Sequence, residues 1–287
     1  MHRALRATAA LWPFPFGDAW VSGWLARRFA PPTWLRSDAR GQWPSMVLDV
    51  SHRLQCKFFM FPRLHGWYMS RLPFRRFLEQ TLAPGATFID VGSNIGFFSL
   101  LAARLVGAQG RVYAFEPEPA LHGALVRSAR LNALAHLEPF QVALSDHEDD
   151  ATFFRAKDGT ASSLVPEAPG REGRYEAAVR IPVTTLDRIV GDGRVDVRAL
   201  RVIKIDVEGE EARAIRGMRE TLVQAGYPAI WCEVRGPQGS TRAPNTFGPA
   251  RDQLATLGYR AYLWNRGALV AADERNVRKR VDVLFMR

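Results

Sequence analysis

From Ala86 onward the apolar residues follow two alternating rhythms: short unbroken runs, and longer stretches with apolar residues three or four apart. An unbroken run reads as a strand buried on both faces, and the wider spacing as an amphipathic helix. Thr87–Val91 is the first such strand. Ile95–Leu105 follows as a helix with Ile95, Phe98, Leu101, Ala102 and Leu105 inward, and Gly107 ends it. Arg111–Phe115 is the second strand. Pro119–Leu134 is a helix with Leu121, Leu125, Ser128 and Leu131 on one face, and Leu137–Leu144 a third strand. A polar excursion over 145–180 breaks the rhythm and is expected to form an extra hairpin and loop. Val202–Val207 is the fourth strand, Glu210–Ala225 a helix and Ala229–Val234 the fifth strand, with Tyr259–Trp264 and Val281–Met286 closing the chain as two more. Repeated strand–helix units predict an α/β, doubly wound architecture. Its sheet is seven-stranded and mostly parallel, with helices on both faces and a C-terminal antiparallel strand pair.

The pattern ahead of this region is different. Residues 1–45 are rich in Trp, Pro and Arg and lack strand periodicity. Asp18 is placed to cap a short helix with Trp20, Val21, Trp24 and Leu25 on one face and Arg27 and Arg28 near its end. Such a face either packs on the parent domain or lies on a membrane interface. Met46–Phe61 turns strand-like in the runs MVLDV and KFFMF, and a helix over Phe74–Leu82 leads into Pro84-Gly85. The chain therefore divides into a small basic, Trp-rich extension, residues 1–75, and an α/β domain, residues 76–287.

Charge sharpens that division. The net charge is +10, and residues 1–80 hold twelve Arg and Lys against four acids, so most of the excess lies ahead of the first strand. An anionic partner such as a membrane surface fits this asymmetry. So does a coding bias toward arginine, since only four of the 39 basic residues are lysine. At 47% hydrophobic and 24% charged the chain suits one large folded core. No apolar run is long enough to cross a bilayer. Cys56 and Cys232 make no disulfide framework and have no metal-ligand spacing. A cytoplasmic setting is expected, peripheral to the membrane if the extension docks there.

The chemistry begins in FIDVGSNIGFFSL, residues 88–100, where a strand turns into a helix. The turn reads Asp90-x-Gly92-x-Asn94-x-Gly96, and neither a dinucleotide fingerprint nor a triphosphate loop fits it. A carboxylate on the last turn of the strand repels phosphate and suits a cation, such as the α-amino group of an amino acid. Glu116 ends the next strand, where an acid accepts hydrogen bonds from ribose hydroxyls. An amino-acid end at Asp90 and a ribose at Glu116 together describe S-adenosylmethionine. Gly92, Ser93, Asn94 and Gly96 complete the turn around it, with Pro117 beside Glu116, and Ala143 and Leu144 at the third strand are placed to flank adenine.

These residues resemble a class I S-adenosylmethionine-dependent methyltransferase, specifically the FkbM family. The similarity runs from about Phe77 to Val234 and includes APGATFIDVGSNIGFFSL, AFEPEP, QVALSD, TTLDRIV at 184–190 and IKIDVEGEE at 203–211. Ser93 stands where the family usually has Ala. The resemblance implies a Rossmann-like methyltransferase sheet and transfer of a methyl group to a hydroxyl of a carbohydrate, glycolipid or natural product. An RNA 2'-O-methyltransferase and a non-catalytic binding protein on the same fold are the alternatives, and nucleic acid is the disfavoured partner.

In this fold the fourth strand delivers residues to the acceptor. Asp206 emerges there, followed by Glu208, and Glu233 ends the fifth strand beside it. The three are the candidate catalytic acids. They share a base role toward an alcohol or gather a divalent cation that acidifies it, and the base role is preferred because no histidine adjoins them in sequence. Lys204 is expected in an interior ion pair. Glu210 and Glu211 suit a helix N-terminus. The run Asp146-His147-Glu148-Asp149-Asp150 reads as a solvated turn rather than a metal cluster, and Ser162 and Ser163 either touch the acceptor or hold a loop.

Overall fold

The computed structural model describes residues 34–37, 44–49, 55, 72–156, 175–237, 245–265 and 268–287. The expected helix after Asp18, the KFFMF run and the Ser162–Ser163 pair lie outside the described residues. In chain order the elements are β1 (Trp34–Ser37), β2 (Met46–Asp49), α1 (Pro73–Thr81), β3 (Thr87–Val91), α2 (Phe97–Val106), β4 (Arg111–Phe115), α3 (Pro119–Leu131), β5 (Leu137–Phe140) and β6 (Ala143–Leu144). There follow β7 (Asp149–Ala156), β8 (Tyr175–Thr184), α4 (Leu186–Gly191), β9 (Leu200–Ile205), α5 (Glu211–Arg216), α6 (Arg219–Gln224), β10 (Ala229–Arg235), α7 (Phe247–Ala255), β11 (Arg260–Asn265), β12 (Ala268–Ala271) and β13 (Arg280–Met286).

The central sheet runs in the order β12-β11-β13-β10-β9-β3-β4-β5. Strands β10, β9, β3, β4 and β5 are parallel, while β13, β11 and β12 pair antiparallel. This is the α/β architecture expected, with the C-terminal pair extended at the sheet edge by the short strand β12. Alternation along each strand sends successive residues to opposite faces. Phe88 and Val202 join α1, α2 and α3 in one core, whereas Ile89, Ile203 and Ile205 join α4 to α7 in the other. Met46 and Leu48 of β2 are buried in the first core, and the Val47 amide donates to Ser128 Oγ of α3 at 2.9 Å. Among the described residues, no helix is long and apolar enough to cross a membrane.

Two elements differ from expectation for identifiable reasons. The third strand leaves the sheet after Phe140. Ala143–Leu144 instead pairs with β8, and with the β7–β8 hairpin of the polar excursion it forms a separate three-stranded sheet. The helix expected over Glu210–Ala225 breaks at Gly217 and Met218, where the Gly217 carbonyl accepts from the Asp187 amide at 3.0 Å and the backbone runs so close to the Ser145 carbonyl that a Cβ would collide with it. The Asp187 carboxylate then accepts from the amides of Glu220 and Thr221, at 3.2 and 2.7 Å, and caps α6 afresh.

The carboxyl ends of β3 and β9 converge closely. The Asp206 amide donates to the Val91 carbonyl at 3.0 Å, and Gly92 follows at φ 76° with its Cα against the Asp206 carbonyl oxygen. A side chain at Gly92 would strike that backbone, which has no flexible end to yield. Gly85, at φ 86°, has nothing within 4 Å of a built Cβ. Gly92→Ala is therefore expected to destabilise the protein by more than about 3 kcal/mol. Gly85→Ala should cost about 1–2 kcal/mol, the left-handed backbone penalty alone. Urea unfolding of the two variants checks the difference.

Candidate active site

Four adjacent parallel strands bring their carboxyl ends to one edge of the sheet, and each carries an acid there: Glu116 after β4, Asp90 in β3, Asp206 after β9 and Glu233 in β10. The turn from β3 into α2 is fastened to the end of β4, because the amides of Gly92 and Ser93 both donate to the Phe115 carbonyl at 3.0 Å. Asn94 adopts a left-handed φ of 53°, which asparagine tolerates, and its Oδ1 accepts from the Ile95 amide at 2.8 Å. Gly96, at φ 80°, lies against the Leu125 side chain of α3. Both glycines are thus demanded by the protein's own packing.

Glu116 is buried beside this turn. Its Oε2 accepts from the Asn94 amide at 2.8 Å and its Oε1 from the Glu118 amide at 2.9 Å. A carboxylate has about four acceptor positions, so each oxygen keeps capacity for a further donor. Asp90 is fully buried. Its Oδ2 accepts from Ser99 Oγ at 2.6 Å, and its Oδ1 faces Lys204 Nζ at 3.6 Å without a hydrogen-bond partner. The buried Ser93 hydroxyl is likewise without one. An unbonded serine hydroxyl, a buried carboxylate oxygen with no hydrogen bond and a half-used carboxylate around one turn fit a ligand that brings hydroxyl and ammonium donors. Pro117 is half-buried next to Glu116. Ala143 is buried in the small core of the β6–β8 sheet, and Leu144 in the larger core.

The second half of the edge is a compact charge cluster. Asp206, Glu208 and Glu233 present carboxylate oxygens within 4.8 Å of one another. Guanidinium groups occupy that space. Arg280 Nη2 contacts Glu208 Oε1 at 2.6 Å, bonds Glu233 Oε1, and lies 3.9 Å from Asp206 Oδ1. Arg235 bonds the other Glu208 oxygen, so this carboxylate is gripped from both sides, at a residue whose φ of 52° is itself in the left-handed region. Glu208 therefore serves as the anchor of two arginines. The Asp206 and Glu233 side chains keep about a third and a quarter of their surface exposed, against a tenth for Glu208. Lys204 makes the interior ion pair expected of it, with Nζ 3.4 Å from Asp206 Oδ2.

Burial pushes Glu233 up to about 8, with the Asp206 charge adding to the effect. Burial also raises Asp90 above the usual carboxylate range, although Lys204 and the Ser99 hydroxyl oppose it. Burial works against the Lys204 ammonium, yet Asp206, Asp90 and Glu233 together hold its pKa above the ordinary lysine value.

The acidic run after β6 has a structural task. Asp146 accepts from Arg213 Nε at 2.9 Å and from Arg216 Nη2 at 2.9 Å, and His147 Nδ1 lies 3.0 Å away. Burial would raise its pKa, but these hydrogen bonds hold it well below the usual range. Glu210 is the N-cap of α5 and Glu211 stands in its first turn, where Glu211 Oε1 accepts from the Gly209 amide at 2.9 Å. Arg235 and Arg280 escaped the sequence reading. Arg235 carried a local signal, lying two residues beyond Glu233 on the same strand face. Arg280 carried none, because only the antiparallel register, Arg235 opposite Arg280, brings it to the cluster.

Burial also lifts Glu116, from an ordinary value of 4.5 to about 8. Between those values the folded chain keeps a proton that the unfolded chain has released. The Glu116 contribution to stability is thus complete below pH 4.5 and lost as pH rises through 8. Glu116→Gln, which keeps its neutral form, should show a smaller fall in Tm between pH 6 and 8.5 than the wild type. Paired thermal melts across that range check it.

A family model described as the methyltransferase FkbM domain matches residues 90–261. Hexuronic acid methyltransferase AglP of Haloferax volcanii is 27% identical over 49% of this chain and 53% of its own. 31-O-demethyl-FK506 methyltransferase FkbM of Streptomyces tacrolimicus is 29% identical over 52% of this chain and 64% of its own. The chain thus spans between half and two thirds of these relatives. Among solved structures, methyltransferase FkbM from Methylobacillus flagellatus KT aligns with 74% of this chain and 50% of its own, at 14% identity and a TM-score of 0.44.

Proposed function

The chain belongs to the methyltransferase FkbM domain family, and from that premise we propose that it transfers a methyl group from S-adenosylmethionine to a hydroxyl of a carbohydrate, glycolipid or natural-product acceptor. The observation that carries this reading is the row of acids at adjacent strand ends, with unbonded acceptors beside β3 and β4 and a carboxylate cluster beside β9 and β10. The names of the two relatives, for a hexuronic acid and for 31-O-demethyl-FK506, support the acceptor class.

The cofactor would supply a methyl group on a sulfonium, open to direct displacement by an alcohol oxygen. Glu116 would accept from the ribose hydroxyls with the lone pairs its two amide bonds leave. The turn of Gly92, Ser93, Asn94 and Gly96 would face the amino-acid end, above the negative charge of Asp90. Pro117, Ala143 and Leu144 would border the adenine. On the acceptor side, Asp206 would take the hydroxyl proton as the new bond forms, with Glu233 sharing the load. Glu208 would act indirectly, by fixing Arg235 and Arg280. Displacement of this kind asks the protein chiefly for alignment and a dry pocket.

Calorimetry with S-adenosylhomocysteine tests the first half. Wild type should bind, and Glu116→Ala and Asp90→Ala should each bind at least about tenfold more weakly, a loss of about 1.4 kcal/mol. Wild-type affinity in both variants would place the cofactor elsewhere. A screen with labelled cofactor and cell-envelope extracts tests the second half. Asp206→Asn should lose at least about a hundredfold in turnover, the usual scale of general-base catalysis, while keeping cofactor affinity within a few-fold. Loss of labelling on chelation, restored by magnesium, would assign the three acids to a metal ion instead.

A further inference from the structure

Among the described residues, the Lys204 side chain is ion-paired with a carboxylate in each half of the edge. It stands opposite Asp90 in the parallel register of β3 and β9, and Asp206 follows directly after the end of β9. Its ammonium is 3.6 Å from Asp90 Oδ1 and 3.4 Å from Asp206 Oδ2, and 5.9 Å from the centre of the Phe98 ring. Asp90 is fully buried, and no other cation among the described residues is ion-paired with it. Arg280 approaches Asp206 only to 3.9 Å, being committed to Glu208 and Glu233. One ammonium therefore serves two carboxylates that would otherwise repel each other across the junction of the strand ends.

We infer that Lys204 is a positioning residue that ties the cofactor side of the site to the acceptor side, its ammonium shared between Asp90 and Asp206. The inference rests on the proposed cofactor reading for the names of the two sides, while the shared ion pair is a matter of geometry. Asp90 and Asp206 stand on separate strands, so their spacing depends on the charge between them as well as on backbone pairing. Neutralising the lysine leaves the pair, and Glu233 near them, with a surplus of negative charge in a buried place. Removing either carboxylate from such a variant restores part of the balance. A lysine shared by two acids should therefore have two independent suppressors.

Thermal melts and calorimetry of the intact chain with S-adenosylhomocysteine test this. Lys204→Met should lower Tm by roughly 5 °C or more and weaken S-adenosylhomocysteine about tenfold. Adding Asp90→Asn or, separately, Asp206→Asn to Lys204→Met should raise Tm by at least about 2 °C above the single variant, although each substitution alone lowers it in the native background. If neither substitution suppresses, so that the losses add, Lys204 serves only as a packed stem and the inference falls. If only Asp90→Asn suppresses, the lysine belongs to one half and the bridge falls. Should Lys204→Met fail to fold, recovery of folded protein in both double variants upholds the bridge, and recovery in one or neither overturns it. A wild type that does not bind S-adenosylhomocysteine defeats the cofactor reading, and the melts then decide the shared ion pair by themselves.

Discussion

The site depends on one close approach of backbone to backbone. At the carboxyl ends of β3 and β9, Gly92 lies against the Asp206 carbonyl, and the Asp206 amide is held by Val91. No side chain fits between them. The contact fixes where the turn at 92–96 begins and where the chain leaves β9, and thus where Glu116, Asp90, Asp206 and Glu208 stand relative to one another. A doubly wound sheet always opens a crevice at its carboxyl edge. Here a missing Cβ sets the width of that crevice at its centre.

Around this contact the charges are arranged in opposed pairs rather than scattered. Four acids, Asp90, Asp206, Glu208 and Glu233, meet three cations, Lys204, Arg235 and Arg280. Burying so many ionised groups is expensive and returns little net stability over an apolar core. What it provides is geometric definition, since each guanidinium and ammonium can satisfy its carboxylates in only a few arrangements. Asp206 and Glu233 remain more exposed than Glu208, which bonds both arginines.

The fold was legible because the apolar rhythm of a doubly wound domain is strong. Thr87–Val91 and Arg111–Phe115 agree with the structure to the residue, since fully buried strands between turn residues leave little freedom in their ends. The breaks were less legible. The kink at Gly217 answers to Ser145 and Asp187, partners dozens of residues away, and no local pattern encodes them. Helix α7 and strand β12 are short, and their pattern is weak. At the site, the acids stood out because carboxylates at strand ends are unusual and the spacing of Asp90, Glu116 and Asp206 follows the strand–helix repeat. Their counter-ions were harder to find, because register rather than spacing selects Arg280. Close contacts within the protein also require the two glycines of the turn, a demand that no local pattern reveals.

The antiparallel placement of β13 has a consequence for the order in which this site can form. Arg280 lies 72 residues beyond the Glu208 it holds, on a strand that joins the sheet only by docking against β10. A chain growing from its amino end completes all five parallel strands, and all four acids, before this arginine exists. In that interval Glu233 lacks the Arg280 guanidinium that pairs with it in the folded chain. It can be buried only by keeping a proton, or left facing water until β13 arrives. The docking of β13 thus does more than widen the sheet: it delivers the guanidinium that ties Glu208 to Glu233.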